Sequence, residues 1–372
     1  MSKAAELAKW GEVSTNGQVS GRRNIIINGA MNVAQRSTSV TGIGAATGYF
    51  TCDRWLIETA SSAGRLTMTQ TADGPVGFAN CLKLDCTTAD TSIAAGEFLE
   101  LQQKFEGQDL QSIGKGVAGA KEITVSFYVK ANAAFTFGVE LVDADNGRQI
   151  TKLYDTTTDW VRHKLTFPAD VDDGSSPFDD DNASSLGLLF WLHAGATYTG
   201  GTLNTTAWAD NTNANRVAGI DSFYSSTDNN FFITGVQLEV GSAATPFEHR
   251  SYGEELALCQ RYLQRFEGVE SANASDGTRF ISSNWNRSTH FTGHLFSPEM
   301  RAAPTVGISS ADDFTVFTAG LVKAVSAVNL QGSGRTGIEI SFNAEAAGTA
   351  GDSGFVRIVD ATNGFIEFRA EL

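Results

Sequence analysis

The chain has 372 residues, enough for two or three domains at about 150 residues each. It carries 27 Lys plus Arg against 42 Asp plus Glu, and the net charge of −15 argues against nucleic acid or an anionic bilayer as a partner. With 41% apolar residues and 24 Phe it can bury a large core, and 38 Gly with only 6 Pro fit an all-β protein with polar, Gly-rich turns and exclude a disordered chain.

Residues 2–10 predict a short helix with Ala4, Ala5, Leu7 and Ala8 on its apolar side, and residues 11–23 lose all pattern. Together, residues 1–23 read as an N-terminal arm. No apolar signal core opens the chain and no run of about 18 apolar residues follows, so neither secretion nor membrane insertion is expected. Cys52, Cys81, Cys86 and Cys259 are too few and too scattered for a disulfide framework or a zinc motif, which predicts free thiols in a reducing cytoplasm. Cys81 and Cys86 are an odd interval apart, so on one straight strand they face opposite sides. The Asn-x-Ser/Thr triplets at Asn182, Asn204, Asn273 and Asn286 then read as loop composition.

Folded structure is expected to begin with a strand at residues 24–28, closed by the turn signal Asn28-Gly29. Further strands are predicted at residues 65–70, 81–85, 122–130, 135–142, 160–167, 186–192 and 231–239. Short strands parted by Gly, Asp and Asn turns, with no amphipathic helices between them, predict a jelly-roll β-sandwich over residues 24–250. At Ser251 the pattern changes: Ser251 and Glu254 form a capping box. Tyr252, Leu256, Cys259, Leu263 and Phe266 then recur at spacings of 4, 3, 4 and 3. This predicts a helix to residue 266 and a polar linker over residues 267–278, so that residues 251–270 join two domains. The apolar stripe either lies against the sandwich or makes a short homotrimer contact through Leu256, Cys259, Leu263 and Phe266. β patterning resumes at residues 280–285, 291–296, 314–317, 337–342, 355–359 and 365–368, one smaller C-terminal β domain over residues 271–372. No internal repeat is present, so a solenoid or propeller is not expected.

Motifs for catalysis are weak. Gly351-Asp352-Ser353-Gly354 has the order of a serine-protease nucleophile segment, but Phe355 follows and no histidine stands in a matching context, so it reads as a turn. Gly42-Ile43-Gly44 and Gly114-Lys115-Gly116 miss the spacing of dinucleotide and P-loop motifs. Asp143, Asp145 and Asn146 begin like an EF-hand loop but Tyr154 stands where a bidentate Glu is needed; Asp170, Asp172, Asp173 and Asp179 to Asp181 crowd one connection. These carboxylates either bind Ca²⁺ or stay solvated. His163 and His193 fall in predicted strands and read as hydrogen-bonded structural residues. Residues 194–230 are rich in Thr, Asn, Gly and Asp, with Tyr198, Trp208, Phe223 and Tyr224 interleaved. They either plug the sandwich edge or offer flat faces to a sugar ring.

Residues 24–36 (NIIINGAMNVAQR), residues 49–55 with Asp53-Arg54-Trp55, and residues 231–262 resemble the carbohydrate-binding-module-like jelly roll of bacteriophage tail fibres and related virion proteins. Residues 296–306, with Met300-Arg301-Ala302-Ala303-Pro304-Thr305, are similar to a segment that often follows it. The resemblance implies a jelly roll, frequent trimerisation, and a role in host attachment or virion decoration, without catalytic residues. It leads to the expectation of a non-enzymatic, homotrimeric short tail fibre, assembled in the host cytoplasm and located in the virion. Residues 1–23 would dock on another virion protein, and no cofactor is expected. The alternatives are a capsid-attached head fibre or decoration protein and, in another class, a glycan-cleaving tailspike. A host-surface glycan or receptor is expected to meet Trp285 and Arg287 on the C-terminal domain, or Tyr198, Trp208 and Tyr224 on the jelly roll.

Overall fold

The computed structural model describes residues 22–171, 177–268, 278–346, 348–360 and 363–372. The arm to residue 21, Asp172, Asp173 and most of the predicted linker lie outside the described residues. The chain divides into two compact units, one ending at Glu255 and one running from Leu256 to Glu371.

The first unit contains β1 (Ser39–Ile43), β2 (Gly48–Tyr49), β3 (Leu56–Ala60), β4 (Arg65–Thr71), β5 (Cys81–Thr88), β6 (Phe98–Glu106) and β7 (Ile123–Ala131). It continues with β8 (Thr136–Asp143), β9 (Arg148–Asp155), β10 (Val161–Phe167), β11 (Ser184–Ala194), the one-turn helix α1 (Ala196–Thr199), β12 (Ala209–Asp210) and β13 (Asn230–Val240). A six-stranded antiparallel sheet in the order β1-β4-β5-β13-β7-β10 packs on a seven-stranded one, β12-β9-β8-β11-β6-β3-β2. The chain passes repeatedly between the sheets, as in a jelly roll. Period-two alternation decides what lies between them: Leu99, Leu101 and Phe105 of β6, Phe137, Val139 and Leu141 of β8, and Leu186, Leu188 and Phe190 of β11 all enter one core. Phe190 sits at its centre, edge-on to Phe127 at 5.0 Å and near Trp55 at 6.2 Å. Each such side chain contributes about 1.5–3 kcal/mol of burial.

The motifs at residues 24–36, 49–55 and 231–262 converge on one structural knot. Residues 24–28 form no strand, contrary to expectation, because side chains rather than a ladder satisfy their backbone. Asn24 Oδ1 accepts from the N–H groups of Ile26 and Leu238. Asn28, at φ 58°, donates from Nδ2 to the carbonyls of Val33 and Asp53 and accepts from Trp55 Nε1 through its own carbonyl. Its N–H donates to Glu255 Oε1 at 2.6 Å, and Glu248 Oε2 accepts from the N–H of Asn24 at 2.7 Å. Gly29 allows this approach, since a Cβ there would stand 2.1 Å from the Val236 carbonyl. The motif residues close the sandwich and are spent on holding it.

Ser251 opens α2 (Tyr252–Gln260), its Oγ accepting from Glu254 N–H at 3.3 Å, while Glu254 Oε1 accepts from Arg22 Nη2 at 2.9 Å. The helix stops six residues short of the predicted end. Leu263 and Phe266 lie instead on β14 (Leu263–Glu267) of the second unit, where they oppose Arg369 and Ile366. Cys259 and Leu263 are fully buried, Leu256 is half-buried, and the half-buried Phe266 packs on Phe280, His294 and Phe368. A strand turns the second half of the 4-3-4-3 stripe into this unit's own core, so the predicted helical seam does not exist. Tyr252, at the other end, is 60% exposed.

The second unit continues with β15 (Arg279–Asn286), β16 (Thr289–Leu295), β17 (Thr305–Ile308), β18 (Phe314–Thr318), β19 (Leu321–Ser333), β20 (Gly337–Ala344), β21 (Ser353–Ile358) and β22 (Phe365–Arg369). Six strands close a barrel in the order β15-β16-β20-β19-β18-β21, and β14-β22-β17 form a small sheet. Phe280, Phe314, Val316, Ile340, Phe342 and Val356 fill the core. Gly351 and Asp352 lie in a turn in which Thr349 N–H donates to Asp352 Oδ2, and Ser353 starts β21, as the turn reading expected. Among the described residues no helix is long and apolar enough to cross a membrane.

Candidate functional site: a groove on the seven-stranded sheet

The alternation that sends Leu99, Leu101 and Phe105 inward turns Glu100, Gln102 and Lys104 of β6 to the outer face. Their cross-strand neighbours share that face: Glu58 of β3 opposite Glu100, and Gly187, Leu189 and Trp191 of β11 opposite Lys104, Gln102 and Glu100. Residues of the 194–230 segment rise beside this face, and together they enclose a groove of about 320 Å³. Tyr198 of α1, Asn211, Asn213 and Arg216 line it along with Glu58, Phe98, Glu100, Gln102, Lys104 and Leu189. The volume is at the lower end of the ~300–1,000 Å³ of small-molecule sites.

An ion-pair clamp fixes the wall. Arg216 donates from Nε to Glu140 Oε1 at 3.0 Å and from Nη2 to Oε2 at 2.7 Å, and Trp191 Nε1 donates to the same Oε2 at 2.7 Å. The guanidinium lies 4.6 Å from the Trp191 ring centroid, so the indole is clamped at its edge and its face. Tyr198 then packs on Trp191 and, edge-on, on Phe98, each at 5.3 Å. Burial pushes the Glu140 carboxyl up, opposed by Arg216 and the Trp191 N–H. Glu100 has no such clamp. Burial holds it well above the ordinary carboxylate range, reinforced by Glu140 and Glu58 and opposed by Arg216. This environment favours the protonated form of Glu100, the form that can donate a hydrogen bond. Gln102 Nε2 donates to Glu58 Oε2 and, at 3.5 Å, to Glu100 Oε2. Lys104 and Arg216 stand among Glu58, Glu100 and Gln102 on the groove's lining, so the floor carries both cationic and carboxyl side chains.

Of the aromatic residues expected to meet a ligand, the structure brings only Tyr198 to this groove. Trp208 is 7% exposed and donates from Nε1 to the Pro168 carbonyl at 2.8 Å. Tyr224 is fully buried against Phe223 and His193, with Gly64 beneath its ring. Both take the packing role, because β-sandwich edges need large side chains to close them. Trp285 points out of the barrel on β15, 73% exposed and edge-on to Phe291, and Arg287 is exposed in the turn that follows. Neither lines the barrel's own surface depression of about 550 Å³, formed by Ile281, Phe317, Leu321, Val322 and Phe355 among others. Sequence reasoning missed β6 and with it Glu100, Gln102 and Lys104. The signal was present in residues 98–106, where apolar and polar residues alternate.

Two of these carboxylates, Asp143 and Asp170, are paired with buried cations. Lys115 Nζ stands 2.6 Å from Asp143 Oδ2, with both side chains buried, and Arg148 makes two bonds of 2.9 and 3.0 Å to Asp170. Asp143 Oδ1 also accepts from Asn146 N–H at 3.0 Å. Asp179, Asp180 and Asp181 are exposed. His163 stacks on Phe127 and bonds the Asp155 carbonyl at 2.9 Å, as a structural histidine does. All four cysteines are free and buried.

No family model matches this chain, and no curated protein matches it either. Among solved structures, a family 4 carbohydrate-binding module is similar over 57% of this chain and 97% of its own, with 12% identity and a TM-score of 0.31. A putative sugar binding protein from Bacteroides thetaiotaomicron is 13% identical over 59% of this chain and all of its own, with a TM-score of 0.31. The xylan-binding module CBM22-1 from Paenibacillus barcinonensis Xyn10C is 11% identical over 60% of this chain, with a TM-score of 0.27.

Proposed function

We propose that this chain is a non-catalytic glycan-binding protein and that the groove on the outer face of the seven-stranded sheet takes an uncharged saccharide. The observation that carries this reading is the pairing of a clamped aromatic wall, Tyr198 on Trp191, with a floor of hydrogen-bonding groups in which Lys104 and Arg216 stand among Glu58, Glu100 and Gln102. A sugar ring offers an apolar face to the first and hydroxyls to the second. Screening the protein against neutral and acidic oligosaccharides, followed by calorimetry on the hits, tests it. Tyr198→Ala and Gln102→Ala are expected to weaken binding at least tenfold, and Trp285→Ala with Arg287→Ala to leave it unchanged. The reverse pattern moves recognition to the barrel and overturns this assignment.

We also infer a phage context: a short tail fibre, homotrimeric, carried in the virion through residues 1–23 and directed at a host-surface glycan. The resemblance of residues 24–36, 49–55 and 231–262 to such fibres supports it. Because Cys259, Leu263 and Phe266 are occupied within the chain, a trimer contact must use other surfaces. Light scattering that shows a monomer at micromolar concentration overturns the trimer, and normal incorporation of a chain lacking residues 1–23 overturns the anchor. Immunogold labelling of particles distinguishes tail from capsid.

A further inference from the structure

At one end of the sandwich, away from the groove's polar floor, three ionisable side chains are buried together. Asp90 lies in the loop after β5, Glu97 directly before β6, and His193 near the end of β11. Their exposures are 5%, 6% and 0%, and one potential ligand atom from each lies within 4.8 Å of the others. His193 Nε2 faces Glu97 Oε2 at 3.7 Å, too long for a hydrogen bond, and neither atom has another hydrogen-bond partner. Leaving two buried polar atoms unsatisfied costs about 1–3 kcal/mol each, so the arrangement calls for a third group between them.

We propose that Asp90, Glu97 and His193 form a Zn²⁺ site. The donor set of one imidazole nitrogen and two carboxylates suits zinc with a fourth position for water, whereas Ca²⁺ requires six to eight oxygens. The outer partners are those a metal site needs. His193 Nδ1 and Ser222 Oγ are 2.8 Å apart; with Nδ1–H as donor, the Nε2 lone pair points at the carboxylates. Asp90 Oδ2 is oriented by Ser62 Oγ at 3.0 Å and by Ala63 N–H at 2.8 Å, and its oxygens keep lone pairs for a cation.

The backbone is shaped to the cluster. The β11–β6 register shifts between Trp191 and His193, a bulge of the kind that re-aims a side chain. Gly195 lets the preceding loop approach, since a Cβ there would stand 2.0 Å from the Ala94 carbonyl. The donors are spaced more widely than the ~3.4 Å of a tetrahedral zinc shell, so the carboxylates close inward by about an ångström on binding. Gly195 N–H donates to the Glu97 carbonyl and Thr197 N–H to that of Ala95, so the ion would tie this loop to the helix bearing Tyr198.

The test strips the full chain with chelator, reloads it with ZnCl₂, and measures retained zinc by mass spectrometry and affinity by calorimetry. One Zn²⁺ per chain and a higher melting temperature with zinc than with chelator are expected. Glu97→Gln, nearly isosteric, should weaken binding at least 100-fold, and Ser222→Ala, which removes the partner of His193 Nδ1 but no ligand atom, about tenfold. X-ray absorption should show one nitrogen and oxygen neighbours at about 2.0 Å. Absence of stoichiometric zinc overturns the proposal and assigns the gap to water. Zinc held equally by wild type and Glu97→Gln overturns it too, by placing the metal elsewhere.

Discussion

Replacing Arg216 with Leu removes the cation from a carboxylate that has no exposure of its own: the Glu140 side chain is 0% accessible and that of Arg216 13%. Glu140 would keep only the Trp191 N–H at 2.7 Å and lose all three guanidinium contacts, at 3.0, 3.1 and 2.7 Å. Stranding a buried charge in this way costs about 3–5 kcal/mol. Loss of the cation over the Trp191 face adds roughly 0.5–2 kcal/mol. A destabilisation of about 4 kcal/mol lowers the melting temperature of a unit this size by roughly 8–16 °C. Urea unfolding followed by tryptophan fluorescence reads it, because Trp55, Trp160, Trp191 and Trp208 all belong to the first unit. The double variant Glu140→Gln, Arg216→Leu should recover at least ~2 kcal/mol, since the amide needs no cation. The deficit of the single variant should also shrink towards pH 4. Without Arg216 the folded-state pKa of Glu140 lies far above its unfolded value, so stability falls as pH rises through that window. A single variant within about 1 kcal/mol of wild type, or a double variant no better than the single, refutes the clamp.

Glu100 offers a second pH test: its folded-state pKa is raised well above the ordinary value, so the folded state holds a proton that the unfolded state releases, and stability declines from about pH 4.5 upward. Glu100→Gln should therefore raise the melting temperature at pH 7.5 and leave it unchanged at pH 4; an equal effect at both would contradict the assignment. Lys115→Met strands Asp143 and should cost about 3–5 kcal/mol in urea unfolding, with Asp143→Asn restoring part of it; a loss below about 1 kcal/mol would show that the pair is not needed. Burial pushes the thiols of Cys81 and Cys86 up to about 11 and that of Cys52 higher still, so the native protein should resist Ellman's reagent at pH 8 and react fully in urea. Rapid labelling of the native form at any of these three would count against their burial.

The sequence alone determined the class of fold, because period-two alternation is a local property that a single sheet face enforces. Strands 65–70, 122–130 and 231–239 were legible for that reason, and so was the opposite facing of Cys81 and Cys86 on β5, where only Cys86 joins Leu82 and Leu84 in the core. The sequence also singled out residues 194–230, as either plugging the sandwich edge or facing a sugar, and residues 24–36 as a motif. Tertiary structure decided what each was for. Asn24 and Asn28 are polar residues in a β-rich run, and only the arrival of Leu238, Val236, Asp53 and Glu255 shows them tying a knot. Tyr198, Trp208 and Tyr224 are interchangeable as letters; the sheet edge takes two into packing and leaves one at the groove. The heptad-like stripe at residues 252–266 was a true local signal for its first nine residues. Pairing with β22 seats Leu263 to Glu267 in a sheet with Leu263 and Gln264 buried, and that outweighed the helical pattern. The groove floor was hidden because its residues stand on three strands far apart in the chain. Cross-strand register, which no local pattern encodes, sets Glu58 beside Glu100 and Glu100 beside Trp191.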